Sequence, residues 1–250
     1  MIKKSRIAIV IPLYNEFDSL NYLFYRVDGV HKILKDDYTE KFIFIDDGST
    51  DKTGDALKKK YGKSDYVDII HHEKNSGYGA ALKTGFKRAL EARFDYIITI
   101  DADTNYDQFL IPQLIYDFNP NTEDIMAASP WHPECSKKNF PIIRFILSYS
   151  MSKLYQLVLH PECQPLTCYS ACFRLYKKEV LENINHLSNS FLTNTEIISK
   201  ALLHGYRVKE VPINVNYRLF GASKMKVFRQ IINHFQYMNY LRTHKKERAN

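Results

Sequence analysis

Short apolar runs recur along the first half of the chain at helix-length intervals. They are Ile7-Ala8-Ile9-Val10-Ile11, Phe42-Ile43-Phe44-Ile45, Val67-Asp68-Ile69-Ile70, Tyr96-Ile97-Ile98-Thr99-Ile100 and Ile125-Met126-Ala127-Ala128. Such runs, nearly free of polar alternation and rich in β-branched residues, belong in a sheet covered on both sides. The stretches between them carry apolar residues at helical spacing, as from Phe17 to Leu34. A helix between two strands brings the chain back to the same edge, so successive strands run parallel. Asp46-Asp47-Gly48-Ser49 stops the second strand, and Thr50 or Ser49 is placed to cap a helix ending near Tyr61-Gly62. Gly77-Tyr78-Gly79 opens a helix through Ala92, and Asp107 is placed to cap one reaching Phe118. The predicted class is α/β, a mostly parallel sheet with helices on both faces.

The second half reads differently. Phe140 to Leu159 is strongly apolar, with only Arg144 and Lys153 charged, which predicts a helix or helix pair with a very wide apolar face. Leu192 to Leu203 is another helix, stopped by Gly205. Arg207 to Tyr217 reads as a strand whose Pro212 assigns it to an edge or a bulge. A last helix spans Phe228 to Leu241, before a basic tail with Lys245, Lys246 and Arg248. No linker or repeat interrupts the chain, so one domain over residues 1–230 is expected, with 231–250 as the helix end and tail. No apolar stretch reaches the ~18 residues of a membrane span. Residues 1–6 lead straight into a strand with no signal-peptide core, which predicts a cytosolic protein. In that compartment the four cysteines, at 135, 163, 168 and 172, are expected as free thiols, since their spacing forms no metal-binding pair. Lys plus Arg exceed Asp plus Glu by 35 to 28, a net charge of +7 that suits an anionic partner.

Ligands of parallel α/β sheets sit beyond the carboxyl ends of the strands. Polar residues gather there: Pro12, Tyr14, Asn15 and Glu16 after the first strand, Asp46 to Asp51 after the second, Asp101 and Asp103 after the fourth. So many carboxylates at one edge call for a cation, and carboxylate, phosphate and water are the ligands Mg²⁺ or Mn²⁺ prefers. Taken alone, Asp46-Asp47-Gly48-Ser49-Thr50-Asp51 is equally a turn with an N-cap. The coincidence of three such pieces at successive strand ends favours a site.

These pieces resemble a known family. Ile9-Val10-Ile11-Pro12-Leu13-Tyr14-Asn15-Glu16, Asp46 to Asp51, Asn75-Ser76-Gly77-Tyr78-Gly79-Ala80-Ala81 and Asp101-Ala102-Asp103 look like the inverting family 2 glycosyltransferases of GT-A-like, Rossmann-type fold. Gly205 to Ile213, with Arg218 and Gly221-Ala222-Ser223-Lys224-Met225, resembles the subgroup of dolichyl-phosphate mannose synthases and polyprenyl-phosphate glycosyltransferases. The resemblance implies transfer of a sugar from a nucleotide-diphosphate donor to a polyprenyl phosphate. It implies that Pro12, Tyr14, Glu16, Asp46 and Asp47 border the nucleotide. Asp101 and Asp103 then hold Mg²⁺ or Mn²⁺, joined by Asn105 where mannose synthases commonly carry Gln. Arg218 and Lys224 match basic residues near the phosphates, and Arg144 and Arg174 resemble acceptor-side arginines. Two segments depart from the pattern: Ala128-Ser129-Pro130-Trp131-His132-Pro133 stands in place of a Gly-Ser-Arg stretch, and Tyr169 to Arg174 in place of a Gly-rich one.

Such chemistry needs the leaving diphosphate neutralised. A hydroxyl acceptor also needs a general base, for which Glu196 is the candidate, its other role being a capping Glu at a helix start. A phosphate acceptor is already ionised and needs only positioning. Trp131 and His132 are placed either to contact sugar or to serve structure. The Phe140–Leu159 face fits either a membrane interface or the core, and the basic tail either lipid headgroups or solvent. Expected partners are the donor, a polyprenyl phosphate, the cytosolic face of a membrane and a membrane-anchoring subunit. A hydroxyl-directed transferase of the same fold and a non-catalytic nucleotide-binding or membrane-partner subunit are the rival readings. Nucleic acid is not expected, because the basic residues form no recognised motif.

Overall fold

Each of the five apolar runs forms a strand in the computed structural model, which describes residues 5–103, 106–135, 142–159, 163–214 and 227–243. They are β1 (Arg6–Leu13), β2 (Thr39–Asp46), β3 (Val67–His71), β4 (Tyr96–Thr99) and β5 (Ile125–Ser129). Two more, β6 (Arg174–Lys177) and β7 (Val208–Pro212), complete a seven-stranded sheet of order β3-β2-β1-β4-β6-β5-β7. β1, β2, β3 and β4 pair in parallel, as do β5 and β7. β6 runs antiparallel to both its neighbours, β4 and β5. β6 is not predicted from the sequence, because four residues bounded by Arg174 and Lys177 carry too little apolar pattern to announce a strand. β7 is one of the two edge strands and accommodates Pro212 at its last position.

Alternation along β1 divides the core. Ile7, Ile9 and Ile11 face one layer, with Phe42 and Phe44 of β2, while Ala8, Val10, Ile43 and Ile45 face the other. The first layer is closed by α1 (Leu20–Leu34), α2 (Thr53–Tyr61) and α4 (Ile111–Tyr116). α1 buries Leu20, Leu23, Val27, Val30 and Leu34, spaced for one helical face. The second layer is closed by α3 (Tyr78–Glu91), α5 (Ile142–Leu159), α6 (Lys178–Asn183), α7 (Leu192–Leu203) and α8 (Val227–Thr243). Each large apolar side chain so buried contributes about 1.5–3 kcal/mol. The division expected at residue 230 falls inside α8, which sends Tyr237, Met238 and Leu241 into this core.

Neither Ser49 nor Thr50 caps α2. The helix starts at Thr53, whose N–H donates to Asp51 Oδ1 at 2.9 Å. The two hydroxyl residues instead meet the β1 loop, because Asn15 turns the chain at φ 52°. Asn15 N donates to Ser49 Oγ at 2.9 Å, and Thr50 N donates to Asn15 Oδ1 at 2.7 Å.

α5 splits its apolar surface. Tyr155 and Leu159 are buried, whereas Ile146 and Leu157 are exposed, Leu157 by 75%. α8 packs beside α5 through Tyr155 and His234 and exposes Phe228, Ile232 and Phe235. Among the described residues no helix is long and apolar enough to cross a membrane.

Candidate functional site

The carboxyl ends of β1, β2 and β4 open into one cavity of ≈ 1510 Å³. Pro12, Tyr14, Glu16, Asp47, Asp101 and Asp103 all line it. From there it runs past Trp131 and the Cys168–Cys172 segment to the Leu187–Leu192 loop and a wall shared by α5 and α8.

The adjacent carboxylates Asp46 and Asp47 part company. Asp46 ends β2 fully buried, accepting from Ser49 N at 3.0 Å and pairing with His71 Nδ1 at 2.9 Å. It holds the turn and does not line the cavity, so its expected contact with the nucleotide is not supported by its position. Asp47 does line the cavity. It accepts from Ser76 N at 3.0 Å and Gly77 N at 2.8 Å, and pairs with His72 Nδ1 at 2.7 Å. It thereby fixes the turn that starts α3, where Gly77 sits at φ 98°.

Arg174 is also displaced from its expected role. Fully buried on β6, it donates to the carbonyls of Asn194 and, at 2.7 Å, Tyr169. Its guanidinium sits behind the cavity wall, supporting two residues that line it, and does not itself line the cavity. Arg144 lies in α5, but its side chain falls outside the described residues, as do Asn105, Arg218, Lys224, Lys245, Lys246 and Arg248. Trp131 reaches the cavity and donates from Nε1 to Ser148 Oγ at 2.8 Å; His132 does not line it. The four cysteines are free thiols, with Cys168 and Cys172 on the cavity wall.

Burial and the neighbouring Asp103 carboxylate push the Asp101 carboxyl well above its ordinary range, against hydrogen bonds from the Cys172 thiol and the Tyr78 hydroxyl. Two crowded carboxyls at a cavity floor suit a divalent cation, which relieves their repulsion. Among the described residues no three His, Cys, Asp or Glu side chains form a metal cluster. That donor set fits an ion held by one or two carboxylates plus phosphate and water, the habit of Mg²⁺ and Mn²⁺.

Glu196 lines the cavity from α7 and is nearly buried. Burial raises its pKa, but bonds from Lys200, Ser188 N and Leu187 N outweigh that and hold it below the ordinary value. Its oxygens accept from Leu187 N at 3.0 Å, Ser188 N at 2.9 Å and Lys200 Nζ at 2.7 Å. The carboxylate is a loop anchor. Tyr78 and Phe191 had no role assigned from sequence, although Tyr78 lies in a quoted motif. Their rings stack at 4.6 Å, joining α3 to the Leu187–Leu192 loop beside Asp101.

The model of the glycosyl transferase family 2 matches residues 8–184. Polyprenol monophosphomannose synthase of Mycolicibacterium smegmatis is 29% identical over 88% of this chain and 81% of its own length. Undecaprenyl-phosphate mannosyltransferase of Micrococcus luteus is 28% identical over 88% and 87%. Dolichol-phosphate mannosyltransferase of Pyrococcus furiosus is 28% identical over 88% of this chain and 59% of its own. Among solved structures, glucosyl-3-phosphoglycerate synthase of Mycobacterium tuberculosis, bound to Mn²⁺, UDP-glucose and phosphoglyceric acid, superposes with a TM-score of 0.68 at 14% identity. That match covers 94% of this chain and 80% of the other, and the same enzyme is also known with Mg²⁺ and UDP. The likeness establishes the GT-A fold expected from the motifs.

Proposed function

The chain belongs to glycosyl transferase family 2, and on that premise we propose that it moves a hexose of the mannose or glucose class from a GDP- or UDP-sugar to a polyprenyl phosphate. The observation that carries the reading is the continuous cavity running from the strand-end carboxylates to α5 and α8, two adjacent helices that both carry exposed apolar side chains. The names of the mannosyltransferase relatives support the acceptor class.

In this reading Pro12, Tyr14 and Glu16 border the nucleotide, their loop held by the bonds between Asn15 and Ser49–Thr50. Asp47 sets the α3 turn beside them. Asp101 and Asp103 hold Mg²⁺ or Mn²⁺, which when bound supplies positive charge to the departing diphosphate. Asn105, Arg218 and Lys224 are proposed to complete the phosphate and metal contacts, and Arg144 to face the acceptor. A phosphate monoester carries its own negative charge, so no base is required; the walls need only hold its oxygen in line behind the anomeric carbon. In-line attack inverts that centre. The exposed Ile146, Leu157, Phe228, Ile232 and Phe235 then rest against the cytosolic face of a membrane, where a polyprenyl chain resides.

The test is radiolabel transfer from a panel of GDP- and UDP-sugars into membrane lipid extract, with Mn²⁺ or Mg²⁺ and with EDTA. Label in a phosphate-linked lipid only with metal is the expected outcome. Donor consumption without lipid labelling would move the acceptor to a hydroxyl compound. No metal-dependent consumption of any donor by folded protein would overturn the catalytic reading.

A further inference from the structure

β4 ends at Thr99, and the last ladder-like bond nearby is from Ile100 N to Val10 O at 3.3 Å. The Asp101-Ala102-Asp103 turn therefore leaves the sheet before its two carboxyls are placed. A side chain from five residues further on reaches back beneath it. Gln108 is fully buried, and its Nε2 lies 3.2 Å from the Asp101 carbonyl oxygen and 3.4 Å from that of Asp103, donating to both. One amide nitrogen thus ties the carbonyls of the two residues on either side of Ala102. Fixing those two carbonyls fixes the backbone from which both carboxyls project into the cavity.

The glutamine is itself firmly seated. Asp107 caps the short turn Gln108–Leu110, accepting from Phe109 N at 3.0 Å. Arg26 of α1 pairs with Asp107 through Nε at 3.3 Å, and its guanidinium lies 3.7 Å over the Tyr22 ring. Phe109 packs so close to Gly29 of α1 that a Cβ there would stand 2.5 Å from the ring. Both neighbours of Gln108 are thereby clamped to α1. Gln108 Oε1, by contrast, is buried with no partner among the described residues. An apolar side chain of equal length would remove that orphaned acceptor but would also take the donor away from the Asp101 and Asp103 carbonyls, so what the amide adds at this position is its hold on the turn.

We infer that Gln108 is a positioning residue for the Asp101–Asp103 turn and, through it, for the divalent cation. The inference rests on the proposed reading that these carboxyls hold that cation. Partners one shell out from a metal typically change its affinity ten- to a hundredfold when removed, roughly.

The test compares the full chain with Gln108→Met, which keeps the length and removes both donors. Free Mn²⁺ is followed by electron paramagnetic resonance during titration, with GDP or UDP present at saturation. Binding of the same nucleotide in EDTA and the melting temperature are measured in parallel. Expected is a Mn²⁺ affinity reduced about tenfold or more, with nucleotide affinity in EDTA held and the melting temperature lowered by no more than a few degrees. Mn²⁺ affinity of Gln108→Met within threefold of wild type would overturn the inference. So would a loss of Mn²⁺ affinity accompanied by equal losses of metal-free nucleotide binding and melting temperature, which marks a purely structural residue. A wild-type protein that binds nucleotide but no Mn²⁺ would overturn the metal reading itself, and this inference with it.

Discussion

The Glu196 carboxylate faces two backbone N–H groups and the Lys200 ammonium, all within 3.0 Å. A base must give its lone pair to a substrate proton, and here three bonds already hold the carboxylate, two on Oε1 and one on Oε2. Glu196→Gln retains one acceptor but turns an amide N–H toward a donor and dissolves the ion pair. The expected result is a melting temperature lowered by several degrees and kcat reduced less than about tenfold, since base catalysis is worth roughly 10²–10⁴-fold. Thermal melts and steady-state kinetics on the same preparation check it; a thousandfold loss of kcat at unchanged melting temperature would restore Glu196 as a base and favour a hydroxyl acceptor. Residue identity at the strand ends was legible in sequence because carboxylates there are costly without a purpose. What each one does was not. Asp46 and Asp47 read alike until their partners, Ser49 and His71 against Ser76, Gly77 and His72, are known.

At the scale of elements, the start of α3 meets the Leu187–Leu192 loop almost without clearance. Gly79 N donates to Asn189 O at 2.9 Å, and a Cβ on Gly79 would lie 2.2 Å from Ser188 O. Gly79→Ala therefore forces the loop outward, and with it the Tyr78–Phe191 stack on the cavity wall. The expected cost is about 1–3 kcal/mol in urea unfolding, with weaker nucleotide binding; unchanged values on both counts would show the loop free to yield. The Asn75–Ala81 motif was visible in sequence as a resemblance, but the loop that demands its glycines lies more than a hundred residues away. Sequence patterns disclose an element's own periodicity, as they did for β1 to β5, α3 and α7. They do not disclose a short strand such as β6, whose place is set by the two strands it joins.

At the scale of the whole molecule, two histidines are carried into the fold uncharged. Burial pushes His186 and His234 down to about 4 from an ordinary 6.5. The unfolded chain takes up these protons first as pH falls, so both groups withdraw stability between about pH 6.5 and 4. Asp101, raised to about 7, works in the opposite direction across the whole of that range. His186→Leu isolates one contribution: its melting temperature, relative to wild type, should rise as pH is lowered through that window. A difference independent of pH would show that His186 charges freely in the folded state. None of this was readable from nine histidines in a list of residues, because burial is a property of the packed layers.

The antiparallel β6 also bears on how the chain comes off the ribosome. β4 has β1 on one side as soon as it emerges, but its other partner begins at Arg174, about 75 residues later. At 5–20 residues per second, one edge of the nascent sheet stands open for roughly 4–15 s. β5 is made within that interval and has no seat beside β4, since β6 must come between them. An unpaired edge is a template for neighbouring chains, so the order of synthesis leaves this chain most exposed to mispairing after β1 to β4 are made and before β6 arrives.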